Sequence, residues 1–331
     1  MTPRSFAALA AVTAVTVAAA AWSVTAGTPR AVDERAGERF LPDLARTAND
    51  VTRIVVTAGG TEYKVARTPE GWVLPDKANF PVRFEAVRDL VGGLAQLTVL
   101  EAKTDRQARL ELQEPDKPDS PARRVRLERA DGSVVADVVL GRADYTVGGA
   151  GGLYVRTADT HQAWLVQGRA PLPHDAMGWT DREVVHIPAA QVTSVAASGG
   201  QGPAFTLERG ADGKPAFAGG AAANASEADR LFALAEHLSV DDVRPADAAP
   251  AAGPEVRQMV LRTSDGVRLG LTRFEIDGAP WVRVTAEAEA DGARETAAAI
   301  AKRTDGFAFR IPTWKAELLA ITADKLEPPA S

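Results

Sequence analysis

Cysteine is absent from the 331 residues. That excludes disulfides, thiol catalysis and cysteine metal sites. It also excludes a lipid linked through cysteine at an exported N-terminus, so any membrane attachment must run through a helix. A basic surface is missing too: the net charge is −6 and charges of both signs are interspersed. A nucleic-acid binder usually carries a basic stripe, so nucleic acid is not expected as a partner. The densest basic cluster is Arg123, Arg124, Arg126 and Arg129. It falls largely within an expected strand and reads as a solvated face.

Sequence signatures of chemistry are also missing. There is no H-E-x-x-H pair, nucleophile elbow, P-loop or dinucleotide fingerprint. The 4 histidines are His161, His174, His186 and His237. None has a partner at a recognised metal-binding spacing, so each reads as a surface histidine. The run Gly148–Gly152 reads as a hairpin tip, and Asp241-Asp242 as an exposed acidic pair. No catalytic, cofactor-binding or metal-binding residue is assigned, no cofactor is expected, and the chain reads as a non-enzyme.

What is present is a globular composition, 45% apolar and 25% charged, which suits one large domain or two ordinary ones. Phe6–Ala26 is an uncharged run of 21 residues preceded by Arg4. As a helix it would span about 30 Å, the thickness of a bilayer core. Trp22 falls near its outer end, where interfacial aromatics collect. Two readings stand. The run is long enough to be a retained anchor, yet poor in leucine, and Val24 and Ala26 offer a cleavage site before Gly27. Arg30, Arg35 and Arg39 after the run oppose export, but long domains translocate largely regardless of charge. The body is expected outside the cytoplasm. The expected location is the inner membrane, single-pass with a periplasmic body, or the periplasm if the run is cleaved.

The rest reads as α+β. Asp-Gly at Asp131-Gly132 and Asp265-Gly266 marks hairpin turns. Phe84, Val87, Val91 and Leu94, with Leu90 and Leu97 beside them, repeat at helical spacing. Gly92 and Gly93 would let that helix approach a sheet closely. A second helix is expected over Glu227–Leu238, with Ser226 as N-cap and Asp229 at the capping-box position. Several segments recur in order. Tyr63–Arg67 is echoed by Phe205–Arg209, Leu97–Val99 by Leu238–Val240, Tyr154–Arg156 by Trp281–Arg283, and Ala163–Val166 by Phe307–Ile311. The expected architecture is a tandem duplication of a unit of antiparallel strands with one covering helix, preceded by one N-terminal apolar transmembrane or signal helix. The expected segments are 1–27, signal-anchor or signal peptide; 28–50, juxtamembrane linker; 51–191, first repeat; and 192–325, second repeat.

Several of these stretches also carry a family resemblance. They are Arg67 with Gly71-Trp72, the helix Phe84–Leu97, the hairpin at Ala130-Asp131-Gly132, Leu140-Gly141, Leu153–Arg156 and Trp164-Leu165-Val166. Trp179–Val184 leading into Val192–Val195 completes the set. Together they resemble the domain-of-unknown-function family 4340. The resemblance implies a membrane-anchored bacterial envelope protein, some members being encoded beside ABC transporter genes of the gliding-motility type. It therefore implies an ABC transporter permease or envelope proteins as partners, besides the membrane through the N-terminal helix. It carries over no catalytic residues. Trp72 has no counterpart in the second copy, where Lys214-Pro215 stands.

The leading expectation is thus a non-enzymatic, membrane-tethered extracytoplasmic accessory protein of an ABC-type envelope transport complex. A periplasmic polysaccharide-binding module is the alternative, and a hydrolase with an unrecognised site a third. Trp164 and Trp281 are the candidate partner or glycan contacts. The other reading of these aromatics is core beneath a helix.

Overall fold

The computed structural model describes residues 35–103, 107–200, 202–210, 212–248 and 256–328. The run Phe6–Ala26 lies outside them. Among the described residues no helix is long and apolar enough to cross a membrane.

The chain is a mixed α+β protein, rich in strands. Its first half carries α1 (Leu44–Thr47), β1 (Arg53–Ala58), β2 (Thr61–Thr68), β3 (Gly71–Leu74), β4 (Phe80–Pro81), α2 (Phe84–Gln96), β5 (Thr98–Lys103), β6 (Arg123–Glu128), β7 (Val134–Asp144), β8 (Gly152–Thr157) and β9 (Ala163–Gln167). The second half carries β10 (Glu183–Val185), β11 (Val192–Gly199), β12 (Phe205–Arg209), β13 (Pro215–Phe217), α3 (Ala225–Phe232), β14 (Leu238–Ser239) and β15 (Asp242–Pro245). It continues with β16 (Arg257–Thr263), β17 (Val267–Ile276), β18 (Ala279–Ala288), α4 (Arg294–Thr304), β19 (Phe307–Arg310) and α5 (Thr313–Leu319). The described residues form two compact units, one taking those up to Tyr63 with Arg88–Leu172, the other Lys64–Val87 with those from Pro173 onward.

In the first unit the strands follow the order β1-β6-β7-β8-β9-β5. Neighbours in this order pair antiparallel. Alternation drives this: Val125 and Leu127 are buried while their neighbours are only partly so, as expected for a sheet with one face on a core. Of the basic cluster, Arg124 and Arg126 lie on the other face, whereas Arg123 shares the side of Val125 and donates to Leu172 O at 3.3 Å. Arg124 and Arg126 both bond Asp137, at 2.6 to 3.0 Å, so the solvated-face reading holds for these two alone, as half-buried ion pairs. Residues 35–50, expected as linker, are instead packed into this unit. Phe40 N donates to Leu97 O and Gly37 N to Val99 O, both at 2.8 Å, and Phe40 and Leu44 are buried.

The second unit holds an eight-stranded sheet, β13-β12-β11-β16-β17-β18-β19-β15, and a separate ribbon, β10-β14. The β2–β3 ladder also lies largely here and pairs Arg67 with Trp72, as the β12–β13 ladder pairs Arg209 with Pro215. The departure at Lys214-Pro215 is therefore a replacement in register. Three helices pack in this unit rather than the one expected: α3 on β11, α4 on β17 and β18, and α5 on β16 and β18. Ala297, Ile300 and Thr304 form the buried stripe of α4, a weak apolar signal in a run dominated by alanine.

Two helix details also differ from expectation. Phe84 is 59% exposed, so the buried stripe of α2 begins at Val87. The helix α3 starts earlier and stops sooner than Glu227–Leu238. Asn224, not Ser226, is its N-cap, accepting from Glu227 N; cap and Glu227 thus occupy the capping-box spacing. Both Asp-Gly turns form: Gly132 and Gly266 take φ of 83° and 93°. That left-handed conformation costs glycine nothing sterically.

Candidate functional site

Residues far apart in sequence meet at the β10–β14 ribbon of the second unit. Glu183 pairs with Ser239 and Val185 with Leu238, with a register shift between them. The shift lets Val184 and Val185, adjacent in sequence, both be buried, and Ile187 follows them into the core. Each such burial contributes roughly 1.5–3 kcal/mol and anchors the ribbon. Glu183 and His186 are left at the surface with partly exposed side chains.

His237 arrives from the turn after α3. Its φ is 53°, a left-handed position usually filled by glycine or asparagine, costing a histidine about 1–2 kcal/mol. The turn is held from beneath. Lys315 on α5 is 2% exposed, and its Nζ donates to the carbonyls of Leu234, Glu236 and His237 at 3.0, 2.9 and 3.0 Å. Carbonyls of an irregular turn need partners when they leave water, and one ammonium serves three here. Burial pushes the Lys315 amine down to about 8.

At the surface His237 Nδ1–H donates to Glu183 Oε2 at 2.6 Å. His186 Nδ1 stands 3.5 Å from Glu183 Oε1. The two rings face each other with centroids 4.4 Å apart and planes 51° from parallel. The hydrogen bond from His237, followed by the charges of His237, His186 and Arg303, holds the Glu183 carboxyl below its usual range against a smaller desolvation penalty. Arg303 on α4 also donates to Glu183 O at 3.3 Å. One carboxylate and two imidazoles can share protons, bind an anion when protonated, or ligate a cation when neutral.

Sequence spacing did not reveal this cluster. Glu183 and His186 are three apart, but His237 is 54 residues from Glu183, so no local motif exists. The sequence-expected contacts fare unequally. Trp281 is 2% exposed and packs with Phe274 and Ala308, while the Arg244 guanidinium lies 4.8 Å above its ring. It belongs to the core and offers no surface for a glycan or partner. Trp164 is half-buried, with the Arg35 guanidinium 5.0 Å over its ring. Asp242 of the acidic pair bonds Lys77 Nζ at 2.5 Å, a structural ion pair, and Gly148–Gly152 joins β7 to β8.

Fold and site define a strand-rich α+β protein of antiparallel sheets with a histidine–glutamate cluster on one surface ribbon. The chain belongs to the family described as a domain of unknown function (DUF4340), whose model matches residues 72–255, more than half of its length. No curated protein and no solved structure matches it.

Proposed function

We propose that this chain is a non-enzymatic accessory subunit of an envelope transport complex of the ABC type, tethered with its body outside the cytoplasm. The observation that carries the reading is the uncharged run Phe6–Ala26 placed ahead of the whole folded mass. A run of that length suits a helix crossing a bilayer once. The absence of cysteine removes a lipid linked through that residue. The transporter assignment rests on the family resemblance.

We also propose that the body arose by duplication of one strand–helix–strand unit. Its support is a shared strand order: β1-β6-β7-β8-β9-β5 matches β11-β16-β17-β18-β19-β15 position by position. The Asp-Gly turns fall at the same place, between β6 and β7 and between β16 and β17. α4 and α5 are then additions to the second copy.

The test is purification of the tagged full chain after gentle solubilisation. A membrane permease and an ATPase should accompany it in fixed ratio. Solitary purification under cross-linking as well as gentle conditions would contradict the reading. Retention on envelope polysaccharide, lost in Trp164→Ala, would favour the binding-module alternative instead.

A further inference from the structure

Glu183, His186 and His237 each present one ligand atom, and these atoms lie within 4.8 Å of one another. We propose that the trio is a surface site for a divalent transition-metal ion of the zinc type, bound by one carboxylate oxygen and two imidazole nitrogens, with water completing the shell.

The geometry is close to what such an ion needs. With bonds of about 2.0–2.1 Å, tetrahedral ligand atoms stand roughly 3.3 Å apart. Glu183 Oε1 and His186 Nδ1 are already 3.5 Å apart. Glu183 Oε2 and His237 Nδ1 are hydrogen-bonded at 2.6 Å, so the ion must displace the bonding proton. If His237 is neutral with its proton on Nδ1, that proton moves to Nε2 as Nδ1 turns ligand. If the ring is an imidazolium, one proton leaves to solvent.

The support around the ligands is firm although the ligands are exposed. Ile187 N donates to Ala235 O at 3.0 Å and Val240 N to Arg182 O at 2.9 Å. Together with Lys315 beneath the turn, these bonds hold the two backbone segments while the side chains rotate to close the shell. The donor set also selects. Two nitrogens and one oxygen suit zinc, nickel or copper, whereas magnesium and calcium require mostly oxygen. Three protein ligands leave a position for water, as in sites that stay open rather than closed structural ones. The left-handed His237, strained for its residue type, is held where its ring faces the carboxylate.

The test uses the untagged full chain in detergent, titrated with zinc by calorimetry, with magnesium as control and cobalt as a visible-absorbance probe. The expected result is one equivalent of zinc, no saturable response to magnesium, and a cobalt spectrum with nitrogen ligation. His186→Gln, Glu183→Gln and His237→Asn should each weaken zinc binding at least about tenfold, since losing even an outer-shell partner costs ten- to hundred-fold. Asparagine tolerates the left-handed backbone, and circular dichroism checks that each variant is folded. Diethyl pyrocarbonate footprinting needs no variant: zinc should protect His186 and His237 and leave His161 and His174 as reactive as before. Binding that survives the His186→Gln/His237→Asn double variant, equal protection of all four histidines, or no saturation up to millimolar zinc would overturn the proposal.

Discussion

His237 Nδ1–H donates to Glu183 Oε2 at 2.6 Å, tying the turn after α3 to the strand β10. The bond joins two surface residues, but what positions them is buried: Val184, Val185 and Ile187 on one side and Lys315 on the other. Disturbing the buried supports should therefore cost more stability than disturbing the pair itself.

Lys315→Met tests that directly. The substitution removes three donors and leaves the carbonyls of Leu234, Glu236 and His237 without their partner. The bond to Leu234 O is buried and the other two are part-buried, open to replacement by water; at about 1–3 kcal/mol for a buried acceptor left unsatisfied and less for the others, a total loss of roughly 2–4 kcal/mol is expected. The urea midpoint should fall with little change in slope. An unchanged midpoint would contradict the role given to Lys315.

Acid stability should depend on Asp144. Its carboxylate accepts from the hydroxyls of Thr146 and Tyr154 at 2.6 and 2.8 Å and from Thr146 N at 3.0 Å. These bonds lower its pKa from 3.8 to about 2. The folded value lies below the unfolded one, so the stabilisation is present above pH 3.8 and fades as pH falls toward about 2. Asp144→Asn should lose less stability across that window than the parent chain, measured by thermal unfolding at several pH values. Parallel acid limbs would refute the assignment.

Gly141 sits where a side chain has no room. An added Cβ would fall on Leu110 O and within 2.9 Å of Leu112 Cδ2. Gly141→Ala should destabilise by about 1–3 kcal/mol through overpacking. A neutral result would mean that the segment around Leu110 moves aside freely.

The two tryptophans should separate sharply. Trp281→Ala removes a buried ring packed on Phe274 and should cost about 3–5 kcal/mol. Trp164→Ala gives up a half-buried ring and the Arg35 contact, a cation–π interaction worth about 0.5–2 kcal/mol. Similar losses at both sites, read by denaturant unfolding, would contradict the burial assigned to Trp281.

Much of the strand framework was legible because its signals are local. Asp131-Gly132 and Asp265-Gly266 mark turns by chemistry alone, and the strands beside them alternate. The stripe of α2 was legible for the same reason, except at Phe84, where helical spacing continues but the core does not. The end of α3 was not legible. Leu234 and Leu238 continue the apolar spacing and are buried, yet the chain leaves the helix after Phe232, and the turn's carbonyls are satisfied by a lysine from α5. The Glu183–His186–His237 cluster was beyond reach for a related reason. It is created by the pairing of β10 with β14, and that pairing leaves no spacing rule in the sequence.

The body's location is the most direct test of the proposed tether and compartment. Protease added to intact spheroplasts should degrade the chain while a cytoplasmic marker stays whole, and without protease the full-length chain should sediment with membranes. A chain that resists until the cells are lysed would contradict an extracytoplasmic body.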